Sequence, residues 1–186
     1  VPEDHWRSIR FTGQEVNPTV YAMAQMNLAI HDVNGAIRKG DSLSSPQFTT
    51  SDSELELFDY ILANFPFSAR WDKDNLKEDP SDRFNDQEKL PRADRGDYAF
   101  ILHMVNQLKD TGQAAIVIPH GVLFRKHEST FREYLFEHDL IESVVGLPEN
   151  LFQNVSIPSA ILVLNAEKPE PRKEQVQFIH AADEDF

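Results

Sequence analysis

Short apolar runs alternate with segments of helical periodicity along the chain, and this alternation constrains the possible folds more than any other feature of the sequence. Residues 114–118 (AAIVI) form one apolar run, which ends at Pro119. Residues 57–63 (LFDYILA) form another, and a run of this kind predicts a strand that is buried on both faces. Strands that alternate with helices are typical of an α/β domain. The sequence therefore predicts an α/β fold, with a mainly parallel sheet and flanking helices.

The other strands, and the first helix, are predicted from the same patterns. Strands are expected at 7–15, 36–39, 141–147 and 159–164, and residues 175–180 suit an edge strand. A helix is expected to begin at Asn17-Pro18, because Asn is a good N-cap and Pro fits the first helical position. The spacing of its apolar side chains predicts a buried face that consists of Val20, Met23, Ala24, Leu28 and His31.

Two further helices are expected in the second half of the chain, after a long polar loop at residues 71–97. The first has Gly112 just past its end, and its apolar side contains Phe100, Ile101, Met104, Val105 and Leu108. The second runs through Glu128, Phe131, Leu135 and Phe136. Residues 167–186 are interpreted as a tail, which begins with a stretch rich in proline and charge and contains the expected edge strand.

The chain is strongly acidic, and this property limits the partners that it can bind. It has 18 Lys and Arg residues against 31 Asp and Glu residues, a formal net charge of −13. Such a surface repels the phosphate backbone of nucleic acid, so a nucleic-acid ligand would need a local basic patch or another subunit. The absence of cysteine excludes disulfides and thiolate chemistry and agrees with a cytoplasmic location. No apolar run approaches the roughly 18 residues that a membrane span needs, so no membrane partner is expected.

Two acidic residues follow the first two expected strands. Ligands gather at the carboxyl ends of parallel strands, which makes both residues candidates for a binding site. Glu15 could accept hydrogen bonds from both hydroxyls of a cofactor ribose. Asp41 could accept a hydrogen bond from an adenine amine. The sequence is also compatible with a simpler interpretation, in which Glu15 faces solvent in a turn and Asp41 caps the turn that follows it.

The segment Asn64-Phe65-Pro66-Phe67 is the most informative candidate site. The Asn64 side chain offers a carbonyl acceptor, and the backbone carbonyl of Phe65, in a stiff proline turn, offers a second. Two acceptors that bind one amino group turn its lone pair outward, toward an electrophile. A neighbouring aromatic ring, Phe67, can stack on the planar ring that bears the amine. The alternative is an ordinary strand end, with a proline turn and two phenylalanines in the core.

Several common catalytic motifs are missing from the sequence. It contains neither of the glycine-rich phosphate loops, G-x-x-x-x-G-K-[ST] and G-x-G-x-x-G, nor the nucleophile motif G-x-S-x-G. His, Asp and Glu residues show no metal-binding spacing, so no metal is expected. His31 is expected in the core or at its boundary. His120 follows a strand and could face the cleft, but an ordinary loop position is favoured.

Seven longer segments occur in an order that resembles a known family. They are 13–19 (GQEVNPT), 24–31 (AQMNLAIH), 40–43 (GDSL), 58–67 (FDYILANFPF), 112–119 (GQAAIVIP), 121–124 (GVLF) and 147–152 (LPENLF). The set resembles the modification subunit of type I restriction-modification systems, which are S-adenosylmethionine-dependent N6-adenine DNA methyltransferases. The likeness spans nearly the whole chain.

The resemblance implies a role for each candidate residue. Glu15 would bind the ribose of S-adenosylmethionine, and Asp41 would lie beside the adenine of the cofactor. Asn64 and the Phe65 carbonyl would hold the N6 amine of a flipped-out adenine, and Phe67 would stack on that base. The implied partners are DNA and the specificity and restriction subunits of the same system.

The chain departs from the family pattern in two respects. The family has Asn-Pro-Pro followed by Phe or Tyr, whereas Phe65 occupies the position of the first proline. Changing Phe65 to Pro is therefore expected to raise activity. The glycine-rich cofactor loop of the family is also missing, so residues 1–186 are interpreted as the C-terminal portion of an incomplete Rossmann-like catalytic domain. We expect such a fragment to be inactive alone and prone to self-association through exposed strand edges.

Two alternative functions are compatible with the sequence. The chain can be a non-catalytic structural or interaction fragment, as the missing loop and Phe65 would suggest. It can also be a methyltransferase that acts on the amide nitrogen of proteins, because enzymes of that kind use a similar Asn-Pro-Pro-Tyr loop.

Overall fold

The structure of the protein is a computed structural model, in which residues 8–52, 54–72, 79, 81, 83–84, 90–149, 151 and 157–181 are described. The chain divides into two compact units, Val1–Glu54 and Leu55–Phe186. The first unit contains a two-stranded sheet and the second a five-stranded sheet. Among the described residues, no helix is both long enough and apolar enough to cross a membrane.

The first unit is a β-α-β arrangement. It consists of strand β1 (Phe11–Glu15), helix α1 (Pro18–Ile30) and strand β2 (Gly35–Lys39), and the two strands are parallel. Asn17 caps α1 as predicted, since its side-chain oxygen accepts hydrogen bonds from the backbone N–H groups of Thr19 (2.9 Å) and Val20 (3.3 Å). Leu43 and Phe48, which follow β2, are buried.

Helix α1 does not have the buried face that its periodicity predicts. None of its residues is buried, and the side chains of Val20 and Met23 are 46% and 59% exposed. His31, expected in the core or at its boundary, is the exposed C-cap residue. The helix packs on β1 and β2, where Leu28 lies against Gly35. A sheet of two strands is too narrow to cover the whole apolar side of the helix, so the prediction of a buried face is wrong for this structure.

The second unit contains a mixed sheet with the strand order β3-β4-β6-β5-β7. Its strands are β3 (Phe58–Ala63), β4 (Leu108–Pro119), β5 (Ile141–Gly146), β6 (Ser159–Asn165) and β7 (Gln177–His180). The pairs β3–β4 and β5–β7 are parallel, whereas β6 is antiparallel to both of its neighbours. The α/β fold class is therefore confirmed, with an antiparallel strand inside the larger sheet. Strand β7 is an edge strand, as expected.

The helices of the second unit lie between its strands in sequence. They are α2 (Asp97–Asn106), α3 (Gly121–Phe124) and α4 (Ser129–Glu137), with a short 3₁₀ helix (Lys126–Glu128) before α4. Most of α2 is buried, including Tyr98 and Ile101. Gly112 does not end this helix as predicted but lies inside β4, where the side chain of Leu108 occupies the space that a Cβ would need. Helix α4 contains Phe131, Leu135 and Phe136 as predicted; the first two are buried and Phe136 is 64% exposed.

Strand β3 is not buried on both faces. Tyr60 and Leu62, which point to the same face, are 75% and 82% exposed, whereas Ile61 and Ala63 on the other face are half-buried. The strand is the terminal strand of its sheet, and within the described residues it pairs only with β4. Its apolar composition therefore does not reflect burial on both faces in this structure.

Much of the predicted loop at 71–97 lies outside the described residues. Two described parts of it are buried within the second unit. Trp71 is buried and donates from its indole N–H to the backbone carbonyl of Arg92 (2.9 Å). Asp79 and Arg83 form a buried ion pair, with side chains that are 2% and 0% exposed. The loop is thus polar in composition and partly buried in the fold.

Candidate active site

Glu15 and Asp41 lie at the same edge of the first unit. Because β1 and β2 are parallel and Glu15 pairs with Lys39, the carboxyl ends of both strands meet there. The backbone N–H of Gly40 donates to the carbonyl of Glu15 (3.0 Å). Gly40 has a φ of +155°, a conformation that side chains disfavour, so the glycine allows the chain to turn beside Glu15.

Each of the two carboxylates is held by a hydrogen bond within its own turn. Oε1 of Glu15 accepts from the backbone N–H of Asn17 (2.6 Å), and Oδ1 of Asp41 accepts from that of Leu43 (2.9 Å). Asp41 thus does cap the turn that follows it. Among the described residues, no hydrogen bond involves the second oxygen of either carboxylate. Both side chains are half-buried acceptors, which fits the hydroxyl and amine donors of a nucleoside.

Asn64, Phe65, Pro66 and Phe67 follow β3 in the second unit. Strand β3 is parallel to β4, so this segment lies at the edge of the sheet where β4 ends at Pro119. Asn64 and Pro66 are exposed, Phe67 is half-buried and Phe65 is buried. The Asn64 amide is therefore presented to solvent at the mouth of its strand and is not turned into the core.

Phe65 occupies a defined place in the core. Its ring is 7% exposed and stacks on Phe100 of α2, with 5.1 Å between the ring centroids and an angle of 12° between the planes. Phe67 contacts Phe65 edge to face, with centroids 6.1 Å apart. The bulky side chain that replaces the family proline is thus accommodated by packing, and the same packing restrains the backbone of the loop.

Helix α2 also holds the end of this loop through Asp97. The backbone N–H of Ser68 donates to Oδ1 of Asp97 (2.6 Å), and Oδ2 of Asp97 accepts from Nη1 of Arg125 (2.7 Å). Asp97 is fully buried. Ser68 has a φ of +53°, in the left-handed region that non-glycine residues rarely adopt. Ala69 reinforces the turn, because its N–H donates to the carbonyl of Pro66 (3.3 Å).

Arg125 forms ion pairs with two carboxylates, those of Asp97 and Glu128. Burial alone would lower the pKa of the Arg125 guanidinium, but the hydrogen bond to Asp97 and the negative charges of Glu128 and Asp97 raise it above its ordinary value. Burial raises the pKa of Glu128, and the positive charge of Arg125 only partly opposes this shift. The arginine therefore stays charged, which allows it to compensate the buried carboxylate of Asp97.

The structure brings the candidate residues together in two groups, one in each unit. Glu15 and Asp41 form the first group, and residues 64–67 form the second. Sequence reasoning missed the residues that hold the second group, which are Asp97, Phe100 and Arg125. Asp97 is 29 positions from Ser68 and 28 from Arg125, so no local motif connects them.

A metal site and a cavity are two other kinds of site that a protein of this size could offer. The described part of the chain has no group of three or more His, Asp or Glu side chains that could hold a metal ion. A polar cavity of about 750 Å³ is lined by residues that include His138, Asp139 and Lys168. It lies beside the amino end of β5, at the edge of the sheet opposite residues 64–67. The carboxyl edges of the strands therefore remain the best candidate for the active site.

Comparison with known proteins relates this arrangement to a family of methyltransferases. The family model described as "N-6 DNA Methylase" matches residues 2–186. The type I restriction enzyme MpnII methylase subunit of Mycoplasma pneumoniae is 34% identical over 184 residues, which cover 95% of this chain and 34% of that protein. The MjaIX methylase subunit of Methanocaldococcus jannaschii is also 34% identical, over 91% of this chain and 30% of that protein.

The same relationship is found among solved structures. The crystal structure of the methyltransferase subunit of a type I restriction-modification system from Streptococcus thermophilus superposes with a TM-score of 0.85. It is 37% identical in sequence, and the match covers 95% of this chain and 37% of that chain. The chain thus spans about a third of the length of these relatives. Because the family model matches nearly every residue, the chain belongs to the N-6 DNA methylase family.

Proposed function

We propose that this chain forms part of an adenine-N6 DNA methyltransferase, in which Asn64, Phe65, Pro66 and Phe67 bind the target base. The observation that carries the proposal is the placement of Asn64. This residue is exposed at the carboxyl end of β3, and the other end of its loop is held to the core by the hydrogen bond from Ser68 to Asp97. Membership of the N-6 DNA methylase family and the names of the related methylase subunits support it.

In the proposed reaction, the loop makes the adenine amine nucleophilic without a strong base. The side-chain carbonyl of Asn64 and the backbone carbonyl of Phe65 accept hydrogen bonds from the two N–H groups of the amine. These hydrogen bonds direct the lone pair of the nitrogen outward. Phe67 is half-buried, and the exposed part of its ring would stack on the base. The adenine has to leave the DNA helix first, because its amine is otherwise engaged in base pairing.

The proposed cofactor is S-adenosylmethionine, which supplies an electrophilic methyl group when it is bound. Glu15 would accept hydrogen bonds from the ribose hydroxyls, and Asp41 would accept one from the adenine amine. Both carboxylates have a second oxygen for this purpose, because only their first oxygen takes part in the local turns.

The net charge of −13 agrees with a division of labour between subunits. An acidic protein gains little from the phosphate backbone by itself, so the proposed specificity subunit would supply most of the DNA contacts. We also propose a restriction subunit as a partner, since the relatives are named as parts of type I restriction enzymes. The reaction would take place in the cytoplasm, where the host DNA lies.

The test is transfer of a labelled methyl group from S-adenosylmethionine to DNA of the host sequence that lacks N6-methyladenine, by the native assembly isolated through a tag on this protein. N6-methyladenine is measured by mass spectrometry. We expect Asn64→Ala to lower the rate by about a hundredfold to a thousandfold, because single electrostatic groups at the reacting atoms commonly contribute that much. The control is Asn34→Ala, which removes an exposed Asn side chain in the loop before β2.

Three other results of this experiment would favour an alternative function or exclude the proposed loop. Label in protein in place of DNA would favour the protein-amide substrate. No label in either, with the wild-type assembly intact, would favour the non-catalytic alternative. Equal rates for Asn64→Ala and the wild type would exclude residues 64–67 as the catalytic loop.

A further inference from the structure

We propose that Asp97 is a positioning residue for the target-base loop, and that Arg125 and Gly121 act with it. This inference rests on the proposed function of residues 64–67. It assigns a role in turnover to an ion pair that contributes no atom to the reacting groups.

The two oxygens of Asp97 have different partners. Oδ1 accepts the backbone N–H of Ser68, the residue that follows Phe67, whereas Oδ2 accepts Nη1 of Arg125. The hydrogen bond to Ser68 is short, at 2.6 Å, and the carboxylate is fully buried. A charged acceptor holds a backbone N–H more strongly than a neutral one does, so the carboxylate fixes the end of the loop.

The guanidinium of Arg125 lies in the space that a side chain at residue 121 would occupy. A Cβ at position 121 would lie 2.5 Å from Nε of Arg125, well inside van der Waals contact. The guanidinium therefore passes directly over the backbone of α3. Displacing the guanidinium would weaken the ion pair that compensates the buried carboxylate of Asp97.

A second set of contacts ties the same elements together. The backbone N–H of Gly96 donates to the carbonyl of Ala69 (2.8 Å), and the hydroxyl of Tyr98 donates to the carbonyl of Val122 in α3 (3.1 Å). The start of α2 is thus bonded both to the chain just after the loop and to the helix that begins at Gly121. A change in the Asp97–Arg125 pair is therefore transmitted to the backbone beside Phe67.

The experiment compares Asp97→Asn with Gly121→Ala in the native assembly. Asp97→Asn keeps the shape of the side chain but leaves one acceptor oxygen for the two donors, Ser68 and Arg125. Gly121→Ala displaces the guanidinium while Asp97 is retained. We expect each change to lower kcat at least about tenfold, because small misplacements of reacting groups have large effects on rate. The KM for S-adenosylmethionine should stay within about twofold, since binding energy common to the ground and transition states is unchanged.

The double variant tests whether the two residues act through one interaction. If both act through Arg125, the loss of kcat in Asp97→Asn/Gly121→Ala should be clearly smaller than the product of the two single losses. The matched control is Asp139→Asn, which breaks the Asp139–Lys168 ion pair (2.5 Å) at the opposite edge of the sheet and should leave kcat unchanged.

The outcomes separate this inference from the proposed function. Failure of the wild type to methylate DNA, or full activity of Asn64→Ala, overturns the proposed function. If instead Asn64→Ala is inactive while Gly121→Ala and Asp97→Asn keep the wild-type kcat, only the positioning role is overturned. If Asp97→Asn does not fold, Gly121→Ala decides alone, because it perturbs only the end of a flexible side chain.

Discussion

The two units hold their candidate residues in different ways. In the first unit, Glu15 and Asp41 are fixed by hydrogen bonds to N–H groups two positions along the chain, and the neighbouring helix α1 has no buried residue. In the second unit, the loop at 64–67 is fixed by the buried side chains of distant residues, and most of helix α2 is buried. The geometry of the first site is therefore local, whereas that of the second depends on the core.

This difference predicts which substitutions will affect stability and geometry beyond the substituted residue. Local turns tolerate substitution as long as the new residue can make the same hydrogen bond. A loop that is packed into the core transmits the loss of a single side chain to its stability and to its geometry. Stability measurements on matched pairs of variants can therefore show whether the contrast between the units is real.

The largest effect is expected for Phe65→Ala. The ring is 7% exposed and stacked on Phe100, and truncation of a buried Phe costs about 3–5 kcal/mol. Phe67→Ala is the matched change in the same loop, and it should lower the free energy of unfolding by less than half as much, because Phe67 is only half-buried. Denaturant unfolding of the purified protein measures both values. Equal losses would show that the loop is not packed as described.

Phe65→Pro sharpens the same comparison. The family pattern alone predicts that this change raises activity, and that prediction is untested. The structure adds an opposing effect, since proline would remove the stack on Phe100. We therefore expect a lower free energy of unfolding for Phe65→Pro, whatever its effect on kcat. If its stability equals that of the wild type, the proline restrains the loop as well as the stacked ring does.

The next effect concerns the buried ion pair of Asp79 and Arg83. Nε and Nη2 of Arg83 each donate to the carboxylate at 2.8 Å. Asp79→Asn should destabilise the protein by about 3 kcal/mol near pH 7, because it removes the charge from the buried carboxylate that accepts from the Arg83 guanidinium. Asp41→Asn is the matched change in the first unit and should have little effect on stability, since Asn can cap the same turn.

The effect of Asp79→Asn should depend on pH in a defined direction. Burial would raise the pKa of Asp79, but the hydrogen bonds and charge of Arg83 outweigh it and lower the pKa below its ordinary value of 3.8. The stability that the ionised group contributes is therefore present above pH 3.8 and is lost as the pH falls through the lower, folded-state pKa. Unfolding curves from pH 2 to pH 7 should show the two proteins converging at the acid end. A constant difference at every pH would contradict the ion-pair explanation.

The same contrast explains which features the sequence could predict. The Asn17 cap and the meeting of Glu15 with Asp41 depend on residues close together in the chain or on parallel pairing, and both were predictable. The hydrogen bond between Asp97 and Ser68 joins residues 29 positions apart, and no local sequence motif around either residue predicts the other as its partner. The exposure of apolar side chains in α1 and of Leu62 in β3 was also unpredictable. An apolar sequence pattern shows which side chains could be buried, but it does not show which part of the protein would cover them.

The smallest effect is expected at the start of α1. Asn17→Ala removes the acceptor for the N–H groups of Thr19 and Val20 and should cost about 1 kcal/mol. Because none of the residues of α1 is buried, this loss should appear as local opening of the helix. Hydrogen exchange of the α1 amides should then become about fivefold faster, the factor that corresponds to 1 kcal/mol, while α2 stays protected. Asn17→Asp, which keeps the cap, is the matched control.

Helix α2 provides the internal reference for this measurement. Its N-cap is Gly96, which makes no side-chain hydrogen bond, and the carboxylate of Asp97 is directed to Ser68. The start of α2 is thus held by packing and by hydrogen bonds to other segments, and not by a side-chain cap, so its amides should exchange more slowly than those of α1 even in the wild type. If α1 were equally protected in the native assembly, its exposed methionines would have to be covered there by another part of the protein or by a partner. The difference in protection between the two units would then exist only in the isolated chain. The exchange rates of α1 with and without the rest of the assembly would measure how much stability the contacts over α1 supply.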